Sequence, residues 1–113
     1  MTYEEIKNLK VNELILKQDD TTLFKEVKSY LSITWNEEDE DIHKLIAEAK
    51  QHLSKKIGAE INYSEDLSAR RLLKEYCRYV RNYSKEYFEQ NFIDDIVFLQ
   101  LKYASEDLED GES

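Results

Sequence analysis

The chain has 113 residues, of which 41% are hydrophobic and 36% charged, with no proline and two glycines. This composition is too apolar for a disordered chain, and the lack of breakers predicts long helices with short connections in one domain. The formal net charge of −9 argues against a protein whose main task is to grip nucleic acid or an anionic membrane, because both need many cations.

The N-terminal half of the chain predicts three helices. Residues 3 to about 17 are expected to be helical, although their periodicity is imperfect and the VNELIL stretch could instead be extended. A short second helix reaches about residue 32, because its apolar residues recur at spacings of three and four. The third helix begins at a run of acids, which complement the positive N-terminal end of the helix dipole. It ends at Gly58. That acidic start consists of Glu37, Glu38, Asp39, Glu40 and Asp41.

The C-terminal half predicts one long central helix over residues 65 to about 90, with Ser64 or Asp66 as its cap. A final segment, about 93–103, could be helix or strand, because its apolar residues suit both. Residues 105–113 contain five acids and no cation, so we expect a disordered, flexible acidic tail. The predicted fold class is all-α, a small bundle of four to five helices that forms a single domain over residues 1–104.

Helical periodicity also predicts the residues of the core. They are Phe24, Val27, Leu31, Ile42, Leu45, Ile46, Ala49, Leu53, Leu73, Tyr76, Cys77 and Val80. Cys77 is the only cysteine, which excludes a disulfide within the chain and fits a reducing compartment. We interpret it as a small buried hydrophobic residue rather than as a nucleophile.

The long predicted helix carries two opposed stripes when it is projected at about 100° per residue. One stripe is apolar. The other, which we call the basic stripe, consists of Arg70, Lys74, Arg78, Arg81 and Lys85. In an acidic protein such a stripe indicates an interface with something negative, and the acidic start of the third helix in a second copy is complementary to it. The alternative is a solvated face with local pairs such as Arg71 with Glu75.

No catalytic, cofactor or metal site is predicted. His43 and His52 are nine residues apart on one predicted helix and do not share a face, so they do not form a paired metal ligand. Asp94 and Asp95 are adjacent and should point in different directions on a helix, which does not suit an acid–base pair. The two glycines lie far apart and form no phosphate-binding loop. We therefore expect a protein that is not an enzyme.

The order of these patterns resembles the head–tail connector proteins of tailed bacteriophages. This family is also described as adaptor, head-completion or DNA-packaging proteins. The resemblance covers roughly residues 22–104, and it is carried by LFKEVKSYLSI, an acidic break, DIHKLIAEAKQHL and RRLLKEYCRYVRNYS. Residues 1–20 are less typical of the family and form an N-terminal extension.

The resemblance implies a structural protein of the virion neck, assembled in the cytoplasm of a bacterial host. Such a protein forms a ring of its own copies, usually twelvefold, below the portal protein. The ring extends the DNA channel, through which DNA passes without specific binding, and it docks the next neck or tail-completion component. No membrane and no cofactor are implied. The contact between the basic stripe and the acidic start would suit the heterologous interface of a ring.

Two other functions stay open at this point. A small acidic helical regulator that binds a single host or phage protein would account for the acidity but not for the basic stripe. A nucleic-acid-binding helical domain would place the basic stripe on phosphates, against the net charge. Particle size separates the connector from the regulator, because only the connector must form or join a ring.

Overall fold

All regular structure that the computed structural model describes, over residues 21–112 and with side chains through residue 107, is helical. The predicted all-α class is therefore confirmed. The chain divides into two units, Met1–Trp35 and Asn36–Ser113, which are described one at a time. The helix predicted over residues 3–17 and the extension over residues 1–20 lie outside the described residues.

The first unit contains helix α1, which covers residues 21–30 and confirms the predicted short helix. Ser32, two residues beyond the last helical residue, turns the chain with a left-handed φ of 61°. The N–H groups of Ser32 and Ile33 donate to the carbonyl oxygens of Ser29 and Lys28, each at 3.0 Å. This double pattern is the Schellman motif, which satisfies the last carbonyl groups of a helix.

The second unit begins with helix α2, Asp39–Ile57. Three acids occupy its first turn and two lysines its last turn, so both ends complement the helix dipole. Gly58 ends the helix with a φ of 83°, and its N–H donates to the carbonyl oxygen of Ser54 at 2.8 Å. The predicted third helix and its glycine stop are confirmed.

Helix α3 covers Leu67–Arg81 and is much shorter than the predicted helix over residues 65–90. The sequence predicted either Ser64 or Asp66 as the N-cap, and the N-cap is Asp66. Its side chain accepts a hydrogen bond from the Ala69 N–H at 3.0 Å. The predicted long helix is wrong, because a second Schellman motif ends α3. Tyr83 is left-handed at a φ of 57°, and the Ser84 N–H donates to the Tyr79 carbonyl oxygen at 2.8 Å.

The chain after this break returns toward α3 through aromatic packing. A 3₁₀ turn, Lys85–Tyr87, leads into the short helix α4, Phe88–Asn91. The ring of Phe88 lies edge-on to the ring of Tyr76, with centroids 5.1 Å apart, and the ring of Phe92 lies edge-on to that of Tyr79 at 5.5 Å. A straight helix would not bring these rings back onto α3, so aromatic burial favours the break.

The final helix, α5, covers Ile93–Glu112, so the segment that could have been strand is helix. The prediction of a disordered tail from residue 105 is wrong as far as Glu112, because α5 extends to that residue. The physical reason is that α5 meets no proline and no glycine before Gly111, and each residue added to an existing helix gains one hydrogen bond. The side chains at positions 104–107 are all exposed.

Most of the predicted core is confirmed. Buried positions are Val27, Ile42, Ile46, Ala49, Leu53, Leu73, Tyr76 and Cys77. Four predicted core residues are only half-buried, namely Phe24, Leu31, Leu45 and Val80. Burial raises the pKa of the Cys77 thiol to about 12, which keeps the sulfur protonated and unreactive. Over residues 21–112, no helix is both long enough and apolar enough to cross a membrane.

Candidate protein interface

The five residues of the basic stripe do not form one exposed surface. Arg70 is buried, and its guanidinium donates to the carbonyl oxygen of Tyr63 at 3.0 Å. Lys85 lies beyond the end of α3, in the 3₁₀ turn. The prediction of a continuous stripe on one helix is therefore wrong. Periodicity assumed a helix that runs past Arg81, and it does not show which cations the rest of the protein covers.

Arg81 contacts the acidic start of α2 within the same chain. Its Nη1 and Nη2 donate to Oε1 and Oε2 of Glu38 at 2.9 and 3.2 Å, which is a bidentate pair. The hydrogen bond to Glu38 raises the pKa of the Arg81 guanidinium above its ordinary value. The sequence predicted that such charges would meet between copies, and for these two residues the contact occurs inside one copy.

Glu48 joins α2 to both α3 and the turn that follows it. Its Oε1 accepts from the Tyr76 hydroxyl at 3.1 Å and from the Lys85 Nζ at 3.2 Å. The neighbouring His52 stacks on the Tyr76 ring with centroids 4.8 Å apart. Burial lowers the pKa of His52 below 6.5, although the nearby Glu89 carboxylate opposes the shift. These polar and aromatic groups are thus engaged in holding the elements together.

Leu67 and the remaining cations of α3 share one face of the helix, which we call the outer face of α3. It consists of Leu67, Arg71, Lys74 and Arg78, at spacings of four, three and four, and Lys74 is half-buried whereas the other three are exposed. Leu67 is 73% exposed. Arg78 is tied to Glu75, with its Nη2 2.6 Å from Oε2, and its side chain is still 46% exposed. The local pair expected between Arg71 and Glu75 is replaced by this one, which leaves Arg71 exposed on the surface.

The acidic start of α2 is spread over different environments. Glu37 and Asp41 are exposed, whereas Glu38 and Asp39 are half-buried. Glu40 lies 3.5 Å from the Nζ of Lys44 in an exposed pair one turn along the helix. The structure therefore brings Glu38 to Arg81 of the predicted basic stripe, and Asp39, Glu40 and Asp41 lie in the first turn of α2.

Helix α5 exposes a second surface that the sequence did not separate from its buried side. Its outer face carries Ile93, Val97, Phe98 and Leu101, which are 52, 41, 58 and 67% exposed. The opposite side of the same helix places Ile96 and Leu99 in the core, at 3 and 1% exposure. Apolar residues on both sides of one helix are typical of a helix that packs on a partner as well as on its own core. The spacing of Ile93, Val97 and Leu101 by four residues was the available signal.

An open groove of about 520 Å³ lies between the first half of α2 and the end of α3. Its lining includes the apolar side chains of Ile42, Leu45 and Val80 and the ion pair described above. Tyr83 lines the groove as well and is 93% exposed. Exposed tyrosine beside apolar residues is a composition enriched in protein interfaces.

Metal-binding groups are absent from the part of the chain whose side chains are described. Within residues 21–107, no three His, Cys, Asp or Glu side chains are grouped to hold a metal ion. Comparison of the chain with family models, with curated proteins and with solved structures finds no match. The connector resemblance therefore rests on the order of the helical patterns alone.

Proposed function

We propose that this protein is a head–tail connector of a tailed bacteriophage. Its copies assemble into a ring, twelvefold in the usual case, below the portal protein. The ring extends the DNA channel and docks the downstream neck or tail-completion protein. It is a structural protein of the virion neck rather than an enzyme, and it needs no cofactor.

The outer face of α5 is the observation that carries this proposal. Four large apolar side chains, from Ile93 to Leu101, lie exposed on a helix whose other side is buried. Apolar surface of this kind gains about 25 cal/mol for each Å² that a partner covers. The all-α fold agrees with the family that the sequence resembles, and a net charge of −9 suits a channel wall that DNA passes without sticking.

An acidic regulator that binds a single protein is the second candidate. The ion pair between Arg81 and Glu38 favours the regulator. It forms within one copy, so these two charges are not available for a contact between the copies of a ring. The two candidates differ in stoichiometry. A connector is present in many copies in each particle, whereas a regulator is not a component of the particle.

The test is the location of the protein in purified tailed particles. Quantitative mass spectrometry should find it in amounts comparable with the portal protein, and immunogold electron microscopy should place it at the junction of head and tail. Deleting its gene should give DNA-filled heads without tails. Tailed particles that lack the protein would refute the connector function, and recovery of a one-to-one complex with a non-virion protein would favour the regulator.

A further inference from the structure

The groove between α2 and α3 has an apolar floor and the length of a short helix. Ile42 and Leu45 on α2 and Val80 near the end of α3 line it, and Leu45 and Val80 are half-buried. Along α2 the lining extends from Glu38 to Glu48, and ten residues of helix span about 15 Å. The groove therefore has room along its length for about three turns of another helix.

Tyr83 stands at the edge of this groove in an unfavourable backbone conformation. Its φ of 57° lies in the left-handed region, which residues with a β-carbon avoid. Because Tyr83 is 93% exposed, its ring gains almost no burial against the described part of the chain to offset that cost. Backbone strain of this kind is typical of binding sites, and tyrosine is enriched in protein interfaces. The position of Tyr83 thus indicates a surface that a partner covers.

The charge that remains uncompensated at the groove is negative. The three cations in or beside it, Lys44, Arg81 and Lys85, each lie within 3.5 Å of a glutamate carboxylate oxygen. Asp41 is exposed, lines the groove and forms no ion pair with a described residue. It lies one turn before Leu45, so its carboxylate and the apolar floor share one side of α2. A partner with a cation next to its apolar residues is complementary to this arrangement.

The outer face of α5 in a second copy is not that partner. Asp94 and Asp95 are exposed in the first turn of α5. A second copy that placed α5 in the groove would bring these acids towards Asp41, and like charges disfavour such a contact. The occupant therefore differs in chemistry from the exposed helix of this chain.

We infer that the groove binds an amphipathic helix of a partner protein that carries lysine or arginine beside large apolar residues. The apolar side chains of that helix pack on Leu45 and Val80, the ring of Tyr83 covers them from the edge, and a cation pairs with Asp41. This is the helix-in-groove mode of protein recognition. The inference goes beyond the proposed function, because a connector and a single-partner regulator both have a use for such a groove.

Fluorescence anisotropy with labelled synthetic peptides tests the groove in the full-length protein. The first peptide is an amphipathic helix of about five turns, with leucines at spacings of three and four and lysines at their flanks. The second peptide has the same composition in scrambled order, so its charge is unchanged and its apolar side is lost. The third peptide is the first with every lysine replaced by glutamate.

Two pairs of variants locate the binding site. Asp41→Lys reverses the free carboxylate, and Asp95→Lys is its matched control, because both residues are exposed acids in the first turn of a helix. Tyr83→Ala removes the exposed ring at the groove, and Val97→Ala shortens an exposed apolar side chain of α5 instead. Circular dichroism checks that each variant keeps its helical content.

The groove predicts a definite order of affinities. The first peptide should bind the wild type at least about tenfold more tightly than either of the other two, and added salt should weaken this binding. Asp41→Lys should weaken it at least about tenfold, and Tyr83→Ala at least about threefold. The two α5 variants should stay within about twofold of the wild type.

Three results would overturn the inferred groove. Equal binding of the scrambled peptide would reduce the interaction to net charge. Weaker binding in the α5 variants, with the groove variants unchanged, would move the site to the outer face of α5. A wild type that binds the first peptide no better than the glutamate peptide would exclude a cationic partner. The presence of the protein in tailed particles tests the connector function separately, whatever the peptides show.

Discussion

Asp66 should be one of the most sensitive positions of the second unit, because one buried carboxylate joins two helices. Its Oδ1 accepts from the N–H of Ala69 and caps α3. Its Oδ2 accepts from the Tyr103 hydroxyl at 2.7 Å and from the Lys102 Nζ at 3.1 Å, both on α5. Asp66 is only 8% exposed, so water cannot easily replace these partners. Asp66→Ala removes all three hydrogen bonds at once.

The structure gives the size of the loss. An N-cap is worth about 1 kcal/mol, and the hydrogen bond from Tyr103 to a charged acceptor about 1.5–3 kcal/mol. Lys102 has a side chain that is 39% exposed, so screening limits its contribution to about 0–1 kcal/mol. Asp66→Ala should therefore lower the free energy of unfolding by about 2.5–5 kcal/mol. At roughly 4 °C per kcal/mol, the melting temperature should fall by about 10–20 °C.

The same site predicts a pH dependence with a definite sign. Burial alone would raise the pKa of Asp66, but the hydrogen bonds from Ala69, Tyr103 and Lys102 outweigh it and hold the pKa below 3.8. Because the pKa is lower in the folded state, the stabilisation is complete at pH values above the unfolded-state pKa. It is lost as the pH falls through the folded-state pKa. The stability gap between wild type and Asp66→Asn should therefore be full at neutral pH, begin to narrow near pH 3.8 and close only below the lower folded-state pKa.

Urea denaturation followed by circular dichroism, at pH 7 and in acid, measures both effects. Tyr103→Phe, which removes one donor and keeps the cap, should cost less than Asp66→Ala. Glu65→Ala is the matched control, because Glu65 is the exposed neighbour, and it should stay within about 0.5 kcal/mol of wild type. If Asp66→Ala also stayed within that margin, the carboxylate could not be joining α3 to α5.

Three further outcomes follow from burial, backbone conformation and exposure. Leu53→Ala should lower the free energy of unfolding, measured by urea denaturation, by about 2–5 kcal/mol because Leu53 is fully buried. Leu45→Ala should lower it by less, because Leu45 lies beside the open groove. Equal losses of stability in the two variants would contradict the assigned burial. Tyr83→Gly should raise the free energy of unfolding by about 1 kcal/mol, because glycine adopts the left-handed backbone conformation freely. A destabilised variant would mean that the Tyr83 side chain packs against the rest of the protein. Deleting residues 105–113 should leave the melting temperature within about 2 °C, because the side chains at positions 105–107 are exposed. A larger fall would mean that this segment packs on the rest of the protein.

Local signals in the sequence were sufficient for several elements of the fold. Helix α2 combines an apolar periodicity, acids in the first turn and a glycine stop, and all three agree. Asp66 was recognisable as a cap because its side chain and the N–H of Ala69 are three residues apart in sequence. Features of this kind depend on neighbours within one or two turns, which a sequence displays directly.

The end of α3 could not be predicted in the same way. Val80, Tyr83 and Tyr87 continue the apolar periodicity, so the pattern runs across the break without interruption. The residue that turns the chain is a tyrosine in a left-handed conformation, where glycine or asparagine would have been the usual signal. The energy that favours the turn comes from the return of Phe88 onto Tyr76, and this is a tertiary contact rather than a local preference.

The charges of the candidate interface were only partly predictable, for a related reason. Periodicity places a cation on a helix face, but it does not say what lies opposite. Arg81 and Glu38 are 43 residues apart, and nothing in their local sequence pairs them. Arg70 was assigned to the solvent side, although its guanidinium reaches the Tyr63 carbonyl group and is buried there. Arg71 forms no ion pair with a described residue, whereas the sequence places it in a local ion pair with Glu75.

The distinction between internal and available charges constrains how copies of this protein can meet. An interface built on Arg81 and Glu38 would first have to open a bidentate pair whose side chains are only 32 and 35% exposed, and the new contacts would have to offset that loss. The exposed apolar residues on the outer face of α5 have no such ion pair to open. Covering them buries apolar surface, and apolar burial supplies most of the free energy of association, whereas charges fix register and partner choice. As the surface for the proposed contact between copies, the outer face of α5 is therefore favoured over the pairing of the basic stripe with the acidic start of α2.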